Sequence, residues 1–276
     1  MTADQDSTEE PLVHAGVTPG IVRIGGTVRR PVRPFSATVH AYLAHLQASG
    51  FTGAPVPLGF DDRGREVLSY VPGEVPVEPL PDWATGEDVL RRLGGLIRSL
   101  HDAAMTFTAP PDAVWSSPPG GPVPGPPPDG PPELVSHRDY CPGNVVFRDG
   151  MPVALIDFDL ARPTTRLYDI ANAMYWWLPL LDPADRAPAL AGADIPGRAA
   201  MFADAYGLDN DLRSRLVPFA TDMVRRFHRS ARLAAQHDPA FRRMWEDGVK
   251  DRMPRAEAWI EAAGPDIAAA LAAPAR

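Results

Sequence analysis

The sequence predicts an α+β protein with two lobes, a small β-rich N-terminal lobe and a larger, mainly helical C-terminal lobe. Three observations predict this. Short β-prone runs flank one amphipathic helix in residues 16–73, a second β-rich block with polar residues lies near the middle of the chain, and helical periodicity dominates the rest. The 276 residues, of which 45% are hydrophobic, are enough for two lobes that share a cleft.

The small lobe is predicted as hairpin, helix and hairpin. In "GIVRIGGTVRRP", two β-prone runs flank Gly25-Gly26, which favours a tight turn. In "PFSATVHAYLAHLQASGF", apolar residues recur at helical spacing, with Ser36 as a candidate cap and Gly50 as the end. "APVPLGFDDRGREVLSYVPGE" then predicts two strands around the turn "DDRG". Residues 1–15, which are acidic and polar, are predicted to be a disordered tail.

The large lobe is predicted to span residues 74–276. It starts with an amphipathic helix from Glu87 to Met105, followed by a proline- and glycine-rich segment at 108–132, which predicts a long surface loop. A β-rich block runs from Glu133 to about Phe158. From about Asp169 the chain is predicted to be helical, with breaks at several prolines and one glycine.

Composition excludes several classes of function. The net charge of −8 argues against nucleic acid as the main partner; it is compatible with a cationic ligand, and equally with a role in solubility alone. The single cysteine, Cys141, leaves no intrachain disulfide and fits a reducing compartment. Because the sequence shows neither a signal peptide nor an apolar run long enough for a membrane span, it predicts a cytoplasmic protein without membrane contact.

The β-rich block carries the residues that indicate chemistry. "NVVFR" and "PVALIDF" are β-prone runs joined through Asp149-Gly150, a strong hairpin signal. A turn centred there places Asn144 opposite Leu155 or Ile156, beside Asp157, with Asp139 in the loop just before. An amide oxygen and two carboxylates at one place suit Mg²⁺, which prefers hard oxygen ligands.

These residues also carry a resemblance. "HRDYCPGN" followed by "IDFD" resembles the catalytic and metal-binding loops of the aminoglycoside phosphotransferase family, relatives of the choline and protein kinases. "LYDIANA", "LIRSLHDAA" and the hinge-like "LSYVPGE" fit the same family in the same order. The resemblance implies a two-lobed protein-kinase-like fold and transfer of a phosphoryl group from ATP or GTP, with Mg²⁺, to a hydroxyl of a small molecule.

The resemblance also implies roles for individual residues. Asp139 is the expected base or orienting group for the acceptor hydroxyl, and His137 counts among the catalytic residues as the brace of the loop. Asn144 and Asp157 are the expected Mg²⁺ ligands, while Asp159 serves a second metal or faces the acceptor. Asp169 is expected to tie down the catalytic loop.

The nucleotide-binding half departs from the family pattern. The family places a lysine on the third strand and a glutamate on the next helix, but the only lysine in this chain is Lys250. Arg29 or Arg30 stands at the lysine position, with a slight preference for Arg29, and His40 stands at the glutamate position. The hinge-like segment adds Ser69 and Tyr70 to the expected nucleotide-binding residues.

Three functions compete. A small-molecule phosphotransferase is the leading interpretation, and the absent lysine and glutamate favour a non-catalytic kinase-like binding or immunity protein as the alternative. A metal hydrolase using His137, Asp139 and Asp157 is weaker, because hydrolytic zinc sites need more histidines at fixed spacing. The acceptor pocket is expected among the C-terminal helices, where the candidate acids for a cationic amine are Asp182, Asp185, Glu246 and Asp247.

Overall fold

The computed structural model describes residues 8–12, 19–123 and 130–273. A five-stranded antiparallel sheet forms the small lobe, with the strands in the order β1-β2-β3-β5-β4. The strands are β1 (Glu10–Pro11), β2 (Val22–Ile24), β3 (Thr27–Pro31), β4 (Pro57–Phe60) and β5 (Arg65–Ser69). The two predicted hairpins are confirmed, and Gly25 takes the positive φ of 58° that the turn between β2 and β3 requires.

Two details of the small lobe differ from the sequence prediction. Residues Glu10 and Pro11, expected in a disordered tail, pair with β2 as an edge strand. The structure does not describe residues 1–7 and 13–18, so most of the predicted tail and the first residues of the predicted small lobe lie outside the described part of the chain. Ser36 does not cap the helix α1 (Ser36–Ala48): it is the first helical residue, and its hydroxyl accepts a hydrogen bond from the backbone N–H of Arg33.

The two lobes are joined by backbone as well as by side chains. After β5, the backbone of Glu74 exchanges two hydrogen bonds with Phe147 of the large lobe, at 2.9 and 2.7 Å. Gly73 makes this approach possible, because a Cβ built there would lie 2.3 Å from the carbonyl oxygen of Phe147. Helix α1 adds a further link, since the hydroxyl of Tyr42 donates to the carbonyl of Val135 at 2.8 Å.

Two short two-stranded antiparallel sheets and a bundle of helices form the large lobe. One sheet pairs β6 (Leu134–Ser136) with β9 (Arg162–Thr164), and the other is the hairpin of β7 (Val145–Arg148) and β8 (Met151–Leu155). The helices are α2 (Glu87–Ala104), α3 (Arg166–Trp177), α4 (Ile195–Tyr206), α5 (Asn210–His237), α6 (Pro239–Met244) and α7 (Lys250–Ala272). The helix predicted from Glu87 to Met105 is confirmed as α2, and Gly207 ends α4 with a φ of 80°.

The core runs through the large lobe around α2 and α3. Its largest fully buried side chains include Trp177, Tyr140, Tyr175, Phe147 and Phe202. Within the predicted loop 108–132, the described residues 108–123 and 130–132 contain no helix or strand, and they contact α1 through Val114 and β9 through Ser116. In the described ranges, no helix combines the length and apolarity needed to cross a membrane.

Candidate active site

The loop between β6 and β7 is braced from within by His137. The buried ring donates from Nε2 to the carbonyl of Ile156 at 2.8 Å, and its Nδ1 accepts from the backbone N–H of Asp139 at 3.2 Å. A carbonyl can only accept and an N–H can only donate, so these two partners require the neutral Nε2–H tautomer. Both ring nitrogens are therefore occupied, and His137 holds the loop in position.

Asp139 lies at the centre of this loop, partly covered by its neighbours. Its Oδ1 accepts from the backbone N–H of Cys141 at 3.3 Å. Burial raises the pKa of Asp139, and the nearby Asp157 carboxylate adds to the rise, while the hydrogen bond from the Cys141 N–H opposes it. A carboxylate with a raised pKa accepts a proton more readily near neutral pH than an exposed one.

The next residue, Tyr140, fixes the loop to the core of the large lobe. Its hydroxyl donates to Asp169 at 2.6 Å, its N–H donates to Asn172 at 2.8 Å, and its carbonyl accepts from the indole of Trp177 at 2.7 Å. All three partners belong to α3, so this one helix fixes the position of the loop that carries Asp139. The expectation that Asp169 ties down the loop agrees with these contacts, while Asn172 was not singled out from the sequence.

Asp169 is fully buried and charged. Burial would raise its pKa, but hydrogen bonds from the His101 ring at 3.1 Å and from Tyr140 overcome this, and the pKa of Asp169 lies below its ordinary value. His101 is itself held by the hydroxyl of Tyr206 at 2.7 Å. This buried network joins α2, α3 and α4 directly beneath the loop.

The β7–β8 hairpin brings Asn144 and Asp157 to its open end, as its turn residues predict. Val145 pairs with Leu155, and the carbonyl of Asn144 accepts from the N–H of Ile156 at 2.9 Å. The side-chain amide of Asn144 donates to the carbonyl of Asp139 at 3.2 Å, which directs its oxygen away from that carbonyl. Asp157 adopts a left-handed conformation, with φ 60° and ψ 68°, an uncommon state for a residue other than glycine.

Arg30, and not Arg29, reaches this end of the hairpin. Its guanidinium contacts Asp157 at 3.3 Å and Asp159, and its Nε lies 2.7 Å from Glu66. Arg29 points to the other face of the sheet, where it contacts Thr27 and Asp61. The slight preference for Arg29 is therefore wrong: side chains alternate along a strand, and the pairing of β3 with β5 turns Arg30 toward the cleft.

Glu66 on β5 is the residue of this cluster that sequence reasoning missed. It is the direct cross-strand partner of Arg30 and is almost fully buried, and its Oε2 lies 3.0 Å from Nε2 of His40 on α1. Burial would lower the pKa of Arg30, but Asp157, Asp159 and Glu66 raise it overall, so the guanidinium stays charged. Pairing "TVRRP" with "REVLS" in antiparallel register would have brought Glu66 opposite Arg30.

Comparison with known proteins places the loop and hairpin in a family. A family model described as the phosphotransferase enzyme family matches residues 118–203, which contain both. The trifolitoxin immunity protein of Rhizobium leguminosarum bv. trifolii is 36% identical over 209 residues, 72% of this chain and 76% of that protein. The chain belongs to the phosphotransferase enzyme family.

Solved structures extend the similarity to the fold of the whole chain. A choline/ethanolamine kinase family protein from Mesorhizobium loti superposes with a TM-score of 0.63 at 16% identity, covering 98% of this chain and 94% of that one. An amicoumacin kinase in complex with AMP-PNP, Ca²⁺ and Ami superposes with a TM-score of 0.56 at 13% identity, covering 90% of each chain. The predicted two-lobed, protein-kinase-like fold of the phosphotransferase family is confirmed.

The other two expected nucleotide-binding residues have structural contacts in this member of the phosphotransferase family. The hydroxyl of Ser69 accepts from the N–H of Val56 at 2.8 Å, which fixes the end of β5. The guanidinium of Arg23 lies over the ring of Tyr70, 4.1 Å from its centroid, and the Tyr70 N–H donates to the carbonyl of Gly26. Ser69 and Tyr70 therefore lie at the end of β5, where the chain leaves the small lobe, and contacts within that lobe hold them in place.

The residues at the hairpin end fit a hard divalent cation. The oxygen atoms that could coordinate a cation here belong to Asn144, Asp157 and Asp159. The two carboxylates already contact a cationic group, the guanidinium of Arg30. Burial and the neighbouring Asp157 raise the pKa of Asp159 to about 7 against the opposing effect of Arg30, so a further positive charge would be accommodated. In the described residues, no three His, Cys, Asp or Glu side chains converge as a metal site. The protein thus offers two carboxylates and an amide, a partial set typical of Mg²⁺ that is shared with phosphates and water.

Proposed function

We propose that this chain transfers the γ-phosphate of ATP or GTP to a hydroxyl of a small molecule in a Mg²⁺-dependent reaction. The observation that supports this best is the convergence of Asp139, Asn144 and the Asp157/Asp159 pair with Arg30 at one point between the lobes. Phosphoryl transfer needs positioning, charge neutralisation and a proton acceptor more than covalent chemistry from the protein. This set of residues offers all three. The reaction would take place in the cytoplasm, where both nucleotides are available.

Asp139 is the proposed proton acceptor. As the acceptor hydroxyl oxygen bonds to the γ-phosphorus, its proton passes to the Asp139 carboxylate and the bond from the γ-phosphorus to the bridging oxygen breaks, releasing the nucleoside diphosphate. The raised pKa of Asp139 favours this transfer. His137 and Tyr140 keep the carboxylate in place from both sides along the chain.

Asn144, Asp157 and Asp159 are the proposed Mg²⁺ ligands. These residues would hold Mg²⁺ beside the nucleotide phosphates, where the ion would supply positive charge against the charge that develops in the reaction. Arg30 is proposed to bind the nucleotide phosphates in the position of the family lysine, because it is the cation that the fold aims at this point. Its planar guanidinium can hold two phosphate oxygens through two parallel hydrogen bonds in a fixed geometry.

Two measurements test this function. Mg²⁺ with ATP or GTP at millimolar concentration should raise the melting temperature, because a ligand that binds only the folded state stabilises it. Asp139→Asn should keep this shift and lose turnover by about 10²-fold or more, the usual contribution of a general base. Asp266→Asn, an exposed change on α7, is the matched control and should retain full turnover. A variant at Asp139 with more than a tenth of wild-type turnover would exclude it as the base.

A second candidate is a non-catalytic immunity protein that binds and sequesters a toxic compound. The 36% identity to the trifolitoxin immunity protein over 209 residues favours it. The two candidates differ in what Asp139 does: sequestration needs ligand binding but no proton acceptor. Protection of cells that persists fully in Asp139→Asn, together with the absence of a shift by Mg²⁺ and nucleotide, would favour sequestration over phosphoryl transfer.

A further inference from the structure

A cavity of about 320 Å³ opens beside the catalytic loop in the large lobe. Pro142, three residues after Asp139, forms one side, and Trp176, Leu181 and Leu190 are among the apolar walls. This volume suits a small organic molecule. Through Pro142, the loop that carries the proposed proton acceptor contributes to the wall of this cavity.

The acidic side chains of the cavity are already neutralised. Asp185 receives two hydrogen bonds from Arg255, at 2.8 and 2.6 Å. Glu78 is half exposed and lies 3.6 Å from Arg252, which also lines the cavity. Asp182, another expected acid, caps a short helical turn through the N–H of Ala184.

Arg186 lies within reach of the Asp182 charge, but burial still lowers its pKa and it forms no ion pair within the described residues. Its Nε donates to the carbonyl of Leu181 at 3.0 Å, and its guanidinium lies over the ring of Trp259, 4.4 Å from the centroid. The cavity therefore has one unpaired guanidinium and a second that is only loosely paired.

Three buried donors around the cavity also lack a hydrogen-bond partner within the described chain: Nη2 of Arg186, Nε of Arg252 and the hydroxyl of Tyr175. A guanidinium has donors and no acceptor, so only an acceptor can satisfy it. Burial raises the pKa of Tyr175 to about 12 against the opposing charge of Arg252, so its hydroxyl keeps its proton. Buried donors without partners are rare and costly, and three of them together indicate an acceptor-rich ligand.

We propose that the molecule phosphorylated by this protein carries an oxyanion, a carboxylate or a phosphate, which Arg186 and Arg252 bind while its hydroxyl faces Asp139. This inference rests on the proposed phosphotransferase function and specifies its acceptor. It replaces the expected cationic amine in this cavity, because Asp185, the one of the four expected acids that lines it, is already paired with Arg255. The apolar walls favour a ligand with a hydrocarbon segment between its hydroxyl and its oxyanion.

A matched series of hydroxyl compounds tests the proposal by binding alone. The probes are 6-hydroxyhexanoate, 6-hydroxyhexyl phosphate, 6-aminohexan-1-ol and 1,6-hexanediol, titrated into the full chain by ligand-observed NMR at constant ionic strength. The carboxylate or the phosphate probe should bind about 10-fold or more tightly than the ammonium and neutral probes, as expected for one charge-assisted hydrogen bond. The tighter of these two anions identifies the group.

Arg186→Gln and Arg252→Gln should each reduce this preference at least several-fold, while Arg215→Gln, a half-exposed change on α5, should leave it unchanged. Circular dichroism and the melting temperature establish that each variant is folded. The comparison of the four probes on the wild-type protein tests the proposal even where a variant does not fold. Equal binding of all four probes, no binding of any, or a preference that survives both cavity variants would overturn the proposal. Because Mg²⁺–nucleotide binding is measured separately, its failure would count against the phosphotransferase function, and its success without anion preference would count against this inference alone.

Discussion

Replacing Arg30 by glutamine should destabilise the protein strongly, because it leaves a buried carboxylate without its main partner. The Arg30 side chain is 6% exposed and Glu66 is 3% exposed, and Nε of Arg30 lies 2.7 Å from Glu66. After the substitution, Glu66 keeps only His40, at 3.0 Å. Breaking a buried ion pair from one side costs about 3–5 kcal/mol, and the remaining imidazole places the expected loss near the lower end, about 3 kcal/mol.

The assay is thermal or urea unfolding in the absence of nucleotide. For a chain of this size, about 3 kcal/mol corresponds to a fall in melting temperature of roughly 6–12 °C. Arg29→Gln is the matched control: Asp61 keeps its hydrogen bonds from Arg65 after that change, so the melting temperature should fall far less. The double variant Arg30→Gln/Glu66→Gln should recover part of the loss, because it removes both charges.

Two results would refute this reasoning. One is an Arg30→Gln variant that is no less stable than Arg29→Gln. The other is a double variant at Arg30 and Glu66 whose loss equals the sum of the two single losses, because such additivity means that the two side chains do not interact.

Three further predictions follow from the same geometry. Arg30→Gln should weaken Mg²⁺–nucleotide binding about 10- to 150-fold in Kd by calorimetry, the range for charge-assisted hydrogen bonds, whereas Arg29→Gln should leave Kd nearly unchanged. Asp169→Asn should lower the free energy of unfolding by about 2 kcal/mol at pH 7. Because folding lowers the pKa of Asp169, the difference in free energy of unfolding between wild type and variant should close as the pH falls below about 4. Urea titrations at several pH values measure this difference. Gly95→Ala should stabilise α2 by about 0.5–1 kcal/mol because its Cβ meets open space, and Gly94→Ala should not, because its Cβ would crowd α4 at 3.2 Å; equal melting temperatures of the two variants would contradict this.

The parts of the fold that the sequence predicts well are those fixed by local chemistry. Asp149-Gly150 forces a tight turn, with φ of 52° and 74°, and a tight turn dictates which residues of the two strands pair. Asn144 could therefore be placed beside Asp157 without any knowledge of the rest of the chain. The amphipathic helix α2 was equally predictable, because its apolar residues repeat at the helical period.

The parts that were missed depend on contacts between distant segments. Glu66 becomes the partner of Arg30 only when β5 pairs with β3, and Glu66 lies 36 residues after Arg30 in the chain. The choice between Arg29 and Arg30 depends on that same pairing, since one step along a strand reverses the side chain. The pairing of Asp185 with Arg255 spans 70 residues, which is why an acid that looked available for an amine is in fact neutralised.

The carboxylate that pairs with Arg30 lies on a neighbouring strand, and this position affects how the protein can be regulated. In protein kinases the equivalent carboxylate lies on the helix after the third strand, and rotation of that helix makes or breaks the pair and so switches activity. Here Arg30 and Glu66 face each other across adjacent strands of one sheet, so the sheet register holds them together wherever α1 moves. Helix α1 contributes only His40, which contacts Glu66. A displacement of α1 would leave the guanidinium and its carboxylate paired, so we expect that movement of α1 does not switch this pair on and off.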